Sequence, residues 1–209
     1  MARKLAIITG TFNPVTTAHI KLAVLAVKEI QDAMVIYVPA KNQFLKEWKH
    51  LDDSDIMSES ERVDILSQAI KTYGFVCDTC EITGEVPGDT YHTLHYLAKK
   101  YGASVDETYY ICGSDKLSEI KKWYNSDLLL REFKFLVVRR TNDKVERFIN
   151  QDKFLSENKE RFRILPGDEF FQDVSATKVR EAIKTGSLTE VREFLPEEAY
   201  YYLESRCQK

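Results

Sequence analysis

Residues able to hold an anion collect at two distant points of this chain. Near the start, Gly10-Thr11-Phe12-Asn13-Pro14 runs into Thr16 and His19, three positions apart and so on one face of any helix they open. A glycine lets the backbone approach a ligand, a helix N-terminus presents unpaired N–H groups with partial positive charge, and the hydroxyl and imidazole add side-chain donors. Near the other end, Val174-Ser175-Ala176-Thr177-Lys178-Val179-Arg180 places Ser175 at a helix start with Thr177 and Arg180 behind it, able to clamp an anion from a single helix end. Between them lie Lys41 and Lys46, which could pair with phosphates, and Gly113-Ser114-Asp115, whose acceptor-only carboxylate suits ribose hydroxyls. Each has a plainer alternative: helix caps at Thr16, Thr90, Asp115 and Ser175, solvated lysines, and Trp123 as core packing.

The elements that must position these groups follow from periodicity. Apolar, strand-like runs at 5–9, 34–38, 75–82, 108–112, 133–138 and 163–165 alternate with helix-like segments at 17–30, 59–73, 90–101 and 143–161, and a helical tail begins at 176. Such alternation predicts an α/β fold with a parallel sheet, in which ligands bind outside the carboxyl ends of the strands. Every candidate above follows a strand or opens a helix. Ser187-Leu188-Thr189-Glu190 reads as a capping box, Pro196 suits a helix's first turn, and the polar stretch 41–60 reads as a long loop lying over the site.

At 209 residues, one domain spanning the chain is expected. Hydrophobic residues at 44% with no long apolar run argue for a cytoplasmic protein with no membrane partner, and 30 basic against 33 acidic residues argue against nucleic acid, so any anion site must be local. The four cysteines include one Cys77-x-x-Cys80 pair, and His92 and His95 form a lone pair at helical spacing. Neither set has the companions of a tetrahedral metal site, and no protein metal ligands are expected.

The first segment lacks the lysine of the P-loop and the repeated glycines of the dinucleotide motif. It resembles the nucleotidyltransferase pattern G-[TS]-F-[DN]-P-x-[HT]-x-x-H, with Ala18 where a glycine is usual. The remaining segments resemble, in order, those of the nicotinate (nicotinamide) mononucleotide adenylyltransferases: Lys46 in P-x(4,6)-[HY]-K, Arg62 at a supporting arginine, Thr90 and Thr93 in [SD]-Y-T-x-D-T-L with His92 in place of the aspartate, G-x-D-x-L at Gly113 and Asp115, then Trp123, Arg139, and [IV]-S-[SA]-T-x-[IV]-R at Ser175, Thr177 and Arg180.

This resemblance implies a Rossmann-like, doubly wound parallel sheet flanked by helices with a small helical C-terminal part, and transfer of AMP from ATP to nicotinate or nicotinamide mononucleotide with release of pyrophosphate, a step of NAD synthesis. It implies that His19 and Thr16 hold the ATP phosphates and that Lys46 and Arg180 offset charge on the leaving pyrophosphate. Gly10, Thr11, Phe12, Gly113, Asp115, Ser175 and Thr177 would bind ATP, while Asn13, Thr90, Trp123 and Arg139 would bind the mononucleotide, with Mg2+ carried on the ATP phosphates. The acid form of the mononucleotide is the expected acceptor. A phosphopantetheine or CTP-dependent transferase, and a nucleotide-binding regulator without turnover, stay open at this point. A homo-oligomer is compatible with the sequence, which does not fix the state.

Overall fold

The computed structural model describes residues 4–140, 144–167 and 174–207. Six parallel strands run β1 Lys4–Gly10, β2 Ala33–Pro39, β3 Val76–Cys77, β4 Thr108–Gly113, β5 Lys134–Val138 and β6 Phe162–Leu165, in the spatial order β3-β2-β1-β4-β5-β6. The order reverses direction between β1 and β4. There the connections leave to opposite sides and open a crevice at the strands' carboxyl ends.

The sheet is buried on both faces, which explains its near-continuous apolar strands. Along β1, Ala6 and Ile8 join one core while Leu5 and Ile7 join the other, the period-two alternation of a strand. Helices α1 Thr17–Glu29, α3 Glu59–Lys71, α9 Ala176–Thr185 and α10 Glu197–Cys207 lie with the first core. Helices α5 Thr90–Tyr101, α6 Ser126–Glu132 and α7 Val145–Gln151 lie with the second.

Four sequence expectations need correction. The strand at 75–82 pairs only over Val76–Cys77, because the Asp78 carboxylate accepts the Cys80 N–H at 3.0 Å and turns the chain into a short helix, α4 Cys80–Thr83. The loop at 41–60 holds helix α2 Asn42–Glu47 and a 3-10 turn, Asp53–Asp55. The helix expected to 161 breaks at Asp152, which caps α8 Lys153–Ser156 through the Leu155 N–H at 3.3 Å. Ser187 bonds the Thr185 hydroxyl at 2.7 Å instead of capping the 3-10 segment Leu188–Phe194. Position 143 lies outside the described residues, as does the Cys207 side chain.

Candidate active site

The loop from β1 to α1 is shaped by its own side chains. A Cβ on Gly10 would stand 3.1 Å from the Phe12 ring, so glycine is what lets that ring fold back over the strand end. Phe12 itself sits at φ 43, a backbone region L-residues seldom adopt, and its buried ring meets His19 edge-on at 5.1 Å. Thr16 is the N-cap of α1. Its N–H donates to His19 Nδ1 at 3.0 Å, and its hydroxyl lies 2.8 Å from the same nitrogen.

This hydrogen bond settles the chemistry of His19. A backbone N–H can only donate, so Nδ1 is an acceptor and the neutral ring carries its proton on Nε2. Desolvation by burial, and then the charge of Arg140, lower the pKa to about 4, so the ring is neutral at physiological pH. The loop therefore offers an uncharged Nε2–H donor on the first turn of α1.

The second candidate segment, some 160 positions later, reaches the same loop. Arg180 donates from one guanidinium nitrogen to the Asn13 carbonyl at 3.0 Å and from the other to Thr177 Oγ1 at 3.1 Å, while Lys184 pairs with Asp55 at 2.5 Å. Ser175 caps α9 by accepting the Lys178 N–H at 3.1 Å. Asn13 is buried, and its side chain is spent within the chain: its amide donates to the Asp55 carbonyl at 2.7 Å and its oxygen accepts the Met57 N–H at 3.0 Å. It ties the 41–60 segment to the loop from β1 to α1. Arg62 ties the same parts from beneath, donating to the Thr11 and Ala40 carbonyls at 2.6 Å each and to Asn42 at 2.8 Å.

At the edge of β2, Lys46 is exposed on α2 and pairs with Asp53 at 2.7 Å, whereas Lys41 points its ammonium toward Gly84. Beyond β4, a Cβ on Gly113 would fall 2.5 Å from Asp115 Oδ1, so the glycine makes room for that carboxylate. Asp115 borders a cleft of about 380 Å³ shared with Ser114, Lys144, Val145, Phe148 and Gln151.

Two adjacent arginines after β5 part company. Arg139 continues the strand through its N–H to Leu165, and its guanidinium pairs with Glu146. Arg140 places Nε 3.3 Å from Asp115, donates its N–H to Ser114 Oγ at 3.1 Å, and is the charge that His19 feels. Sequence reasoning missed Arg140, although the doubled arginine was the signal for it.

The far side of the crevice is aromatic. Trp123 is partly buried and meets Tyr110 edge-on at 5.7 Å. The Tyr110 hydroxyl bonds Thr9 Oγ1 at 3.0 Å across the β1/β4 reversal, and Thr90 is a further hydrogen-bond partner. The cap of α5 is Asp89, not Thr90, accepting the His92 N–H at 3.0 Å and lying 2.7 Å from its ring Nδ1. Thr90 is thus free of the capping role and faces Tyr110. Among the described residues no cluster of three His, Cys, Asp or Glu could hold a metal ion, and no helix is long and apolar enough to cross a membrane.

The strand-order reversal, with a Gly loop and a helix N-terminus at its carboxyl edge, is the ligand crevice of a Rossmann-like sheet, and the protein is of the nucleotidyltransferase class. The chain belongs to the cytidylyltransferase-like family, whose model matches residues 7–182. It is 29% identical to the probable nicotinate-nucleotide adenylyltransferase of Clostridium tetani, covering 95% of this chain and 94% of that protein. It is 30% identical to the one of Carboxydothermus hydrogenoformans, covering 96% and 94%. The Plasmodium falciparum nicotinic acid mononucleotide adenylyltransferase complexed with NaAD superposes with a TM-score of 0.72 over 98% of this chain and 96% of its own, and at 15% identity that likeness concerns the fold.

Proposed function

We propose that this protein transfers the adenylyl group of ATP to nicotinate mononucleotide, or to its amide, forming the dinucleotide and pyrophosphate in NAD biosynthesis. The observation that carries the reading is the convergence of Thr16, the neutral His19 donor and Arg180 on one loop, joined by the hydrogen bond from Arg180 to the Asn13 carbonyl.

In the reaction, an oxygen of the mononucleotide phosphate forms a bond to the α-phosphorus of ATP as the bond from that phosphorus to the β-phosphate oxygen breaks. A phosphate monoester with its second pKa near 6 is already largely ionised at neutral pH, so no general base is needed. His19 suits this role, because a ring with a pKa of about 4 donates a hydrogen bond without trading a proton. It and the helix N-terminus hold the triphosphate, and Arg180 meets the charge that grows on the departing pyrophosphate. Lys46 reaches the same charge by leaving Asp53; an exposed ion pair of that kind is worth under about 1 kcal/mol, so little opposes the exchange. A Mg2+ ion carried on the ATP phosphates would neutralise the triphosphate charge that His19, Arg180 and Lys46 leave unbalanced.

Asp115 and the cleft beside it take the adenosine, with Arg140 orienting the carboxylate. Trp123 and Thr90 take the mononucleotide, the indole stacking on the pyridine ring. Arg139 stays a candidate for the mononucleotide, Arg140 joins the site through Asp115, and Asn13 also serves as the fastening of the loop. The protein works in the cytoplasm on small molecules. Pyrophosphate release from Mg-ATP, compared across nicotinate mononucleotide, nicotinamide mononucleotide and phosphopantetheine, tests the assignment. Release with a pyridine mononucleotide supports it, and release with phosphopantetheine alone defeats it.

A further inference from the structure

Arg62, at 1% exposure, is the only buried basic side chain among the described residues, and no carboxylate there pairs with it. Its bonds go to neutral acceptors: the Thr11 and Ala40 carbonyls at 2.6 Å each and Asn42 Oδ1 at 2.8 Å. Its Nε, also buried, has no partner among the described residues. The buried carboxylates are settled differently. Asp78 pairs with Lys100 at 2.8 Å, and burial pushes the Glu81 carboxyl up to about 7, so it takes up a proton readily. A guanidinium cannot shed its charge in this way. A buried charge without a counter-charge is costly, and a neutral amide could also donate to a carbonyl. The fold therefore carries a positive charge that fastening the loop does not by itself require.

The position of that charge points to its use. Thr11 belongs to the loop from β1 to α1, and the Ala40 N–H donates to the Gly10 carbonyl at 2.9 Å, so Arg62 lies directly behind the turn that leads into α1. A trans peptide sets its N–H opposite its carbonyl, and among the described residues only the Asn13-Pro14 bond is cis. With the Thr11 and Ala40 carbonyls drawn onto the guanidinium, the Phe12 and Lys41 N–H groups of the same peptides point away from it. The positive ends of both peptide dipoles thus face the side opposite Arg62, as an anion requires. The carboxylate whose charge Arg62 feels is Glu59, held one bond away: Asn42, which accepts from Arg62, donates its own N–H to Glu59 Oε1 at 2.7 Å.

We propose that Arg62 is a counter-charge held behind the loop for a polyphosphate, acting on the triphosphate of ATP through the Thr11 and Ala40 peptides it holds and not by touching the phosphates. This rests on the adenylyltransferase reading above. The buried charge destabilises the free protein and is offset when the anion arrives on the far side of the loop. Its effect therefore grows with the number of ionised phosphates and vanishes for adenosine, whereas an arginine that served only as a fastening would affect both alike.

Equilibrium binding of ATP, ADP, AMP and adenosine to the intact chain tests this. Arg62→Gln keeps amide donors and removes the charge; it should weaken ATP by about tenfold to a hundredfold, AMP by less, and adenosine by under about twofold. Arg62→Lys keeps the charge but not the planar fork, and should restore most of the ATP affinity. Glu59→Gln keeps an acceptor for the Asn42 N–H and removes the opposing charge, so inorganic tripolyphosphate should bind about twofold to fivefold more tightly. Glu59 is only partly buried, so this variant decides the matter even where an Arg62 variant does not fold. Equal losses for ATP and adenosine in Arg62→Gln overturn the proposal, as does tripolyphosphate binding that is indifferent to Glu59→Gln. A phosphate-dependent loss in a chain that releases no pyrophosphate would strike the activity and leave this assignment standing, and equal losses in a chain that turns over would strike the assignment alone.

Discussion

Replacing His19 by alanine should separate stability from turnover. The substitution removes the Thr16 N–H to Nδ1 bond of 3.0 Å, which closes the first turn of α1, and the Nε2–H donor proposed to meet the triphosphate. The first is a helix-capping bond worth about 1 kcal/mol, and for a chain of this length that is a fall of about 2–4 °C in Tm. The second is a donor aimed where charge develops, and its loss should lower kcat by about 10² or more. His19→Gln offers one discriminating control, because a glutamine at the same helix position can accept the Thr16 N–H or donate to phosphate, but with a longer, looser side chain. It should recover much of the stability and only part of the rate. The reasoning also fixes the protonation state: with the folded pKa lowered to about 4, the free ring should show no titration between pH 5.5 and 8 by NMR. The unfolded chain binds that proton near 6.5, so His19 makes the fold less stable as pH falls through this window, by about 1–2 kcal/mol at pH 5, and the alanine variant should lose that part of the slope. A folded His19→Ala protein with turnover within tenfold of the parent, or a ring titrating near 6.5, would refute the neutral-donor role.

Further outcomes can be checked independently. Gly113→Ala puts a methyl 2.5 Å from Asp115 Oδ1 and must move that carboxylate, so KM for ATP should rise about tenfold while KM for the mononucleotide stays within about twofold in steady-state kinetics. Asn13→Ala leaves the part-buried Asp55 carbonyl and Met57 N–H without their partner, at about 1 kcal/mol each, and should lower the denaturant midpoint and turnover together. Glu81 has a folded pKa raised to about 7, so its contribution is present below the unfolded value near 4.5 and lost as pH rises through 7; Glu81→Gln should therefore gain Tm relative to the parent at pH 8 and little at pH 5.

Much of this site was legible in the sequence, for a physical reason. Where function needs a strand, a glycine turn and a helix N-terminus in immediate succession, as from Leu5 to Ile20, local chemistry dictates both the structure and the ligand. The parallel alternation followed from the same reading, as did the helix that opens at Ser175 and brings Arg180 to the first loop. What stayed hidden depends on where a side chain points. Arg139 and Arg140 are neighbours of one type, yet the first pairs with Glu146 and the second lies against Asp115, a difference that only the folded chain shows. Lys41 and Lys46 likewise differ by helix α2, which carries Lys46 out to Asp53, and the polar composition of 41–60 concealed that helix. Nothing in the sequence signals that the Asn13 amide also bonds Asp55 and Met57. Glu81 had no signal at all, since its meaning arises from burial against α5.

The most direct test of the account is 31P NMR of Mg-ATP and nicotinate mononucleotide with catalytic amounts of the purified protein. The account predicts that ATP and mononucleotide disappear together as pyrophosphate and the diphosphate bridge of the dinucleotide grow in equal amounts. ATP that binds the protein yet persists with every mononucleotide offered would contradict it and mark the chain as a nucleotide-binding protein without turnover.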